Sequence, residues 1–126
     1  MSRLSLAFFT TGGLCVLGGM VWGVLMAASN DHSMMPAHAH LNLMGWATLA
    51  LMGTFYALSG RSDRLGWSNY WISTLSVVVS IPALAMLLGG NAAAEKFTIA
   101  GSLLAILGML TFLASVAAHW RQAKAA

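Results

Sequence analysis

Charged side chains are scarce in this sequence. Of its 126 residues only 7% are charged, with 6 Lys and Arg against 3 Asp and Glu, while 59% are hydrophobic. A water-soluble domain usually carries about a quarter charged residues, so these few charges cannot cover a globular surface in water. Most of the surface is therefore expected to face lipid. The sequence also lacks a basic run with interleaved aromatics, which argues against binding to nucleic acid.

Cysteine and membrane-embedded acids are scarce as well. Cys15 is the only cysteine, which excludes an intrachain disulfide and a cysteine-based zinc site and leaves it a packing role. Asp31, Asp63 and Glu95 all fall between the apolar runs. A proton-coupled four-helix exporter needs a carboxylate inside the membrane, so that class of transporter is disfavoured.

Four uncharged apolar runs dominate what is present. A helix needs roughly 20 apolar residues to cross a bilayer core of about 30 Å, and the runs predict spans at 4–28, 36–59, 69–88 and 97–120. Clusters of Gly, Asn, Ser and charge separate them, as in loops. The predicted fold class is an all-α membrane protein: a four-transmembrane-helix bundle, one domain over 1–126, in contact with the lipid bilayer.

The basic residues predict the orientation. Arg3, Arg61, Arg64, Arg121 and Lys124 all fall on one side of a four-span layout. The positive-inside rule places that side, and with it both termini, in the cytoplasm. We therefore expect a multi-pass protein of the bacterial cytoplasmic (inner) membrane, with the start of the second helix facing outside.

Small residues predict where helices approach closely. Gly19 and Gly23 share one face of the first helix, and Gly101 and Ala105 share one face of the fourth. Such faces let helices pack in lipid, either within the bundle or between subunits. Pro82 predicts a kink in the third helix, with a nearby serine bonding the freed carbonyl.

Two histidines open the second helix. His38 and His40 follow Pro36, which suits a first helical turn because its missing amide donor costs nothing there. Polar side chains in a membrane are costly and are by default candidates for function. The positive end of the helix dipole disfavours imidazolium, and neutral imidazole is the form that binds metals. The structural alternative is a pair of interfacial histidines bonded to water or headgroups.

The spacing of the pair limits what it can bind. At about 100° per residue, His38 and His40 point to opposite flanks of a helix and cannot grip one ion together. They can serve two separate sites, or one site shared across a subunit boundary. On the flank of His38, Gly45 leaves room for a flat macrocycle and Asn42 is placed to orient a ligand. Met44 follows His40 as a soft ligand or, more commonly, as packing.

The run from His38 to Trp46, HAHLNLMGW, resembles the haem–copper oxidase subunit I superfamily and is most similar to its short subunit I-like chains. The large subunit of that superfamily has twelve spans in three repeats of four. The second helix of each repeat carries haem or copper histidines near its outer end, and one of these helices has an H-x-H pair that serves two haems. The resemblance implies that His38 and His40 correspond to that pair and that this chain is about one repeat long.

What the resemblance implies is a cytochrome that binds haem b. His38 and His40 would be axial ligands, with Asn42 and Gly45 shaping the pocket and Trp46 packing nearby. Three copies would rebuild the family's ring of helices, so the implied assembly is a homo-oligomer, a trimer, with His38 of one subunit facing His40 of its neighbour. Two imidazoles on iron favour electron transfer with a redox partner, whereas one open position would bind a gas.

The resemblance does not extend to oxygen reduction. That chemistry needs three histidines on copper and a nearby tyrosine, and this sequence has no second histidine-rich helix. His119 falls at the cytoplasmic end, beside Trp120 and Arg121. We therefore predict no copper–tyrosine centre and no catalytic residue, although a role as part of an oxidoreductase stays open.

Two other interpretations need no haem. His32, Met34 and Met35 precede the second helix, and thioethers with imidazole suit Cu(I). A copper-handling or copper-sensing protein would use these residues together with His38 and His40, although methionines in loops are usually hydrophobic plugs. The other interpretation is a structural or assembly subunit without a cofactor.

Overall fold

The computed structural model describes residues 1–125, and within that range all the regular secondary structure is helical. Its elements are α1 (Arg3–Ser29), α2 (Met35–Ser59), α3 (Arg64–Leu88), a short 3-10 turn (Ala92–Ala94) and α4 (Glu95–Ala125). The model has 4 helices long and apolar enough to cross a membrane. The predicted all-α class and the prediction of four long apolar helices are confirmed.

Two helices are longer than their apolar runs. α3 begins at Arg64 rather than at 69, because Asp63 caps it: the Asp63 carboxylate accepts a hydrogen bond of 2.9 Å from the Gly66 amide. This bond satisfies one of the free amides of the first turn. α4 extends past 97–120 at both ends. An apolar window marks only the part of a helix that suits hydrocarbon, and the helix itself continues until a cap or a turn ends it.

The helices pack as two neighbouring pairs, α1 with α2 and α3 with α4, and α3 also contacts the first two helices. The apolar core lies where α1 begins and α2 ends, and Phe8 stacks on Tyr56 there with ring centroids 5.3 Å apart. We call this the termini end, because α1 begins there and α4 ends there. The opposite end, where α1 leads into α2, is called the histidine end.

Both predicted small-residue faces pack inside the chain. A Cβ atom on Gly101 of α4 would lie 2.6 Å from Ser80 Cβ of α3. A Cβ on Gly19 of α1 would lie 2.8 Å from Asn42 Cγ of α2. Real Cβ atoms are not found this close to another carbon, so these helices approach as closely as they do only because glycine stands there.

Gly101→Ala is therefore expected to destabilise the bundle by about 1–3 kcal/mol, the usual cost of overpacking. The added methyl group would meet the backbone of Ser80, whose Cα lies 2.8 Å from the Cβ position. Unfolding of the purified protein by SDS in mixed micelles measures the effect. Gly18→Ala is the matched control, because nothing lies within 4 Å of its Cβ position. Equal stability of the two variants would contradict this account of the α3–α4 contact.

Pro82 lies inside α3 as predicted, but the serines near it bond elsewhere. Ser80 Oγ donates to the Ser76 carbonyl at 2.6 Å, and Ser76 Oγ donates to the Ser73 carbonyl at 2.7 Å. The carbonyl that the proline frees belongs to Val78. A serine hydroxyl in a helix reaches the carbonyl three or four residues before it, so neither of these serines can bond Val78.

A buried polar cluster joins α2, α3 and α4 near the termini end. The Tyr56 hydroxyl lies 3.2 Å from Asn69 Oδ1 and 2.9 Å from Ser115 Oγ. Asn69 Nδ2 donates to the Gly108 carbonyl at 2.7 Å and lies 3.2 Å from Thr111 Oγ1. Polar groups inside an apolar bundle must find partners within the protein, and this cluster supplies them across three helices.

Candidate functional site

The entry to α2 is built from local hydrogen bonds. Asp31 Oδ1 accepts from the Ser33 amide at 2.9 Å, and hydrogen bonding to Ser33 holds the pKa of the Asp31 carboxyl below its ordinary value. The Met35 amide donates to the His32 carbonyl at 3.1 Å. Pro36 then occupies the first turn of α2, as predicted. These bonds fix the start of α2 at Met35, three residues before His38.

His38 faces α1. A Cβ on Gly23 would lie 3.2 Å from His38 Cε1, and the indole of Trp22 meets the imidazole edge-on with centroids 6.4 Å apart. Asn42 Nδ2 lies 3.2 Å from His38 Nε2 and donates to the His38 carbonyl at 3.1 Å. Rotating this amide by 180° would place its oxygen against that carbonyl, so the amide must present its NH₂ group here.

The tautomer of His38 follows from this bond. Because Asn42 Nδ2 can only donate, His38 Nε2 accepts, and in the neutral ring the proton then sits on Nδ1. Nδ1 is buried and has no hydrogen-bond partner within residues 1–125. Burying the unpartnered Nδ1–H costs free energy. The lone pair on His38 Nε2 already accepts the hydrogen bond from Asn42.

His40 leaves α2 on the opposite side and is exposed. Its Nδ1 lies 2.7 Å from the Pro36 carbonyl. A carbonyl only accepts, so Nδ1 carries the proton and the lone pair of the neutral ring is on Nε2. Imidazoles that ligate metals are commonly held in this way, with the second ring nitrogen bonded to a backbone carbonyl. The predicted divergence of the two histidines is present, and only His40 offers a free ligand atom.

The other predicted pocket residues all contact α1, on the same side as His38. Gly45 packs against α1, where its Cβ position is 2.8 Å from Cys15 Cβ. Cys15 therefore fills the room beside Gly45 that we predicted for a macrocycle. Trp46 packs over Gly12, whose Cβ position is 3.2 Å from Trp46 Cε3, and is 37% exposed. Apolar surface near His40 comes instead from Leu43, which is 64% exposed.

The segment after the histidines is a π-helix over Leu41–Thr48. Thr48 Oγ1 donates to the Leu43 carbonyl, five residues back, at 2.9 Å. π-helical turns are rare and occur frequently at functional sites. The sequence pattern did not predict this π-helix, and the only local signal for it is Gly45, a poor former of α-helix.

The residues of the copper interpretation differ in their surroundings. Met34 Cε lies 3.9 Å from the Cβ position of Gly89, near the end of α3, while Met35 is 50% exposed and His32 is also exposed. Among residues 1–125, no group of three or more His, Cys, Asp or Glu could hold a metal ion. His119 lies at the termini end, edge-on to Phe55 with centroids 5.8 Å apart.

Neither a family model, nor a curated protein, nor a solved structure matches this chain. The geometry of the two histidines and their neighbours is therefore the basis for a functional assignment.

Proposed function

We propose that this chain is a membrane cytochrome that binds b-type haem, with His40 as an axial ligand. The observation that carries the proposal is the exposed imidazole of His40, whose Nδ1 is anchored to the Pro36 carbonyl at 2.7 Å. Its Nε2 lone pair faces away from that anchor. A haem held there supplies a one-electron iron centre, and the axial ligands decide between electron transfer and gas binding.

The surroundings of His40 suit a porphyrin. The ring emerges one turn from Leu43, which is largely exposed, on a helix that carries no charged side chain from Met35 to Ser59. A macrocycle gains from apolar contact on its faces, and ligand sites are mostly apolar with few polar groups. His40 therefore offers one polar ligand atom in apolar surroundings.

A haem on this exposed histidine needs cover on its second face. A second copy of the chain supplies that cover, and the resemblance to the subunit I superfamily implies a trimer with His38 of the neighbour on the other side of the iron. The proposed setting is the bacterial inner membrane with both termini in the cytoplasm. Electrons would then be exchanged with a redox partner near the outer surface.

One observation favours a second version of this function. His38 Nε2 already accepts from Asn42, at 3.2 Å, and must lose that bond before it can hold iron. If the bond persists, His40 is the sole protein ligand and the second axial position is open. The cytochrome would then bind a diatomic gas rather than only carry electrons.

Absorption spectra of the protein purified from haem-replete cells test the proposal. We expect a b-type spectrum in the reduced-minus-oxidised difference. A narrow, split low-spin band that carbon monoxide leaves unchanged indicates two histidines, and a high-spin spectrum that shifts with carbon monoxide indicates His40 alone. A colourless protein that also takes up no added haemin would overturn both versions.

A further inference from the structure

A cavity of about 190 Å³ lies between α2, α3 and α4. The methionines Met44, Met52 and Met109 all line it, although the sequence spreads them over two helices. Cys15, the other sulfur-bearing residue type, lines a different groove beside α1. The fold thus brings three thioether side chains to the lining of one cavity.

The hydroxyl groups that line the same cavity already donate hydrogen bonds within the protein. Thr48 Oγ1 donates to the Leu43 carbonyl at 2.9 Å, and Ser76 Oγ donates to the Ser73 carbonyl at 2.7 Å. Ser73 Oγ donates to Met52 Sδ at 3.7 Å, and this bond must give way for that sulfur lone pair to bind a metal ion. The lining contains no carboxylate and no imidazole. The remaining lining consists of aliphatic and methionine side chains.

We propose that this cavity binds a soft monovalent metal ion, Cu(I) or Ag(I), through Met44, Met52 and Met109. Thioethers are soft ligands that select Cu(I) over hard or borderline ions. They are also neutral, so they cannot offset the double charge of Zn²⁺ or Ca²⁺ inside an apolar bundle, where an unpaired charge is costly. Met52 is 3% exposed and Met109 is 42% exposed, so one ligand is enclosed while another is reachable from the surface. The site is separate from the histidine end.

Competition with a chromophoric Cu(I) chelator under reducing conditions tests the site. The full chain carrying Cys15→Ser is the parent, because this removes its only thiol. Met52→Leu, a near-isosteric change that usually costs under about 1.5 kcal/mol of stability, should weaken Cu(I) binding about tenfold or more. Met20→Leu is the matched control, since Met20 is 64% exposed on α1 and should leave the affinity unchanged.

Two further variants make the assignment decisive. Replacing Met44, Met52 and Met109 together by Leu should remove one bound Cu(I), whereas His40→Ala should keep it. Retention of the ion by the triple Leu variant would overturn the proposal and identify the cavity as a packing gap. Loss of the ion with His40→Ala would overturn it too, by assigning copper to the histidine end. Neither result depends on whether haem binds.

Discussion

His40→Ala is expected to abolish the haem spectrum of the purified protein. The substitution removes the imidazole nitrogen of α2 that is free to hold iron, while the Pro36 carbonyl that anchors it at 2.7 Å stays in place. Loss of even an outer partner of a metal ligand costs 10–100-fold in affinity as a rough guide, so loss of the ligand should exceed that. Haemin titration followed by absorbance measures the change.

Two controls give this test its specificity. His32→Ala removes an exposed imidazole from the loop before α2, and His119→Ala removes one from the termini end. Both variants should bind haem as the parent does. A His40→Ala protein that keeps a full spectrum would show that the anchored imidazole is an interfacial side chain and would remove the main support for the cytochrome.

His38→Ala distinguishes a cytochrome with two histidine ligands from one in which His40 is the sole protein ligand. If His38 of a neighbouring subunit is the second ligand, its loss converts a low-spin spectrum into a high-spin one that responds to carbon monoxide. If Asn42 retains its bond to His38, the spectrum is high-spin in the parent and His38→Ala leaves it so. Either outcome shows whether the iron is bound by His38 as well as by His40.

Asn69→Leu is expected to lower the free energy of unfolding by about 2 kcal/mol. Asn69 is fully buried and contacts Tyr56, Ser73, Gly108 and Thr111 through its amide. Hydrogen bonds between membrane helices average roughly 0.6 kcal/mol each in double-mutant cycles, and removing one partner also leaves the others unsatisfied. SDS titration in mixed micelles measures the loss.

Thr54→Ala is the control for Asn69→Leu. Thr54 is exposed, and its hydroxyl bonds only the Ala50 carbonyl of its own helix, at 2.8 Å. Its loss should change the stability by less than about 0.5 kcal/mol. Combining Asn69→Leu with Tyr56→Phe should cost less than the two changes added together, because they break a shared bond. Strict additivity would show that the cluster does not act as a unit.

The spans were predictable because they depend on composition alone. A stretch such as 4–28 is apolar over its whole length, and lipid admits such a stretch only as a helix. Their ends were less predictable: α3 starts at Arg64 because the Asp63 carboxylate reaches the Gly66 amide, and that bond lies outside any apolar window. The helix faces that carry Gly19 and Gly101 were correctly predicted to be helix contacts. Only the structure shows that Gly19 contacts Asn42 and that Gly101 contacts Ser80.

By itself the sequence determined the membrane class, the number of helices and the divergence of His38 from His40, because each follows from composition or from the angle between neighbouring positions on one helix. Tertiary structure decided which imidazole is available. His38 is held by Asn42 against α1, and His40 is left open. It also brought Met44, Met52 and Met109 to one cavity. These outcomes depend on which helix lies beside which, and pairing between distant segments is not encoded in local periodicity.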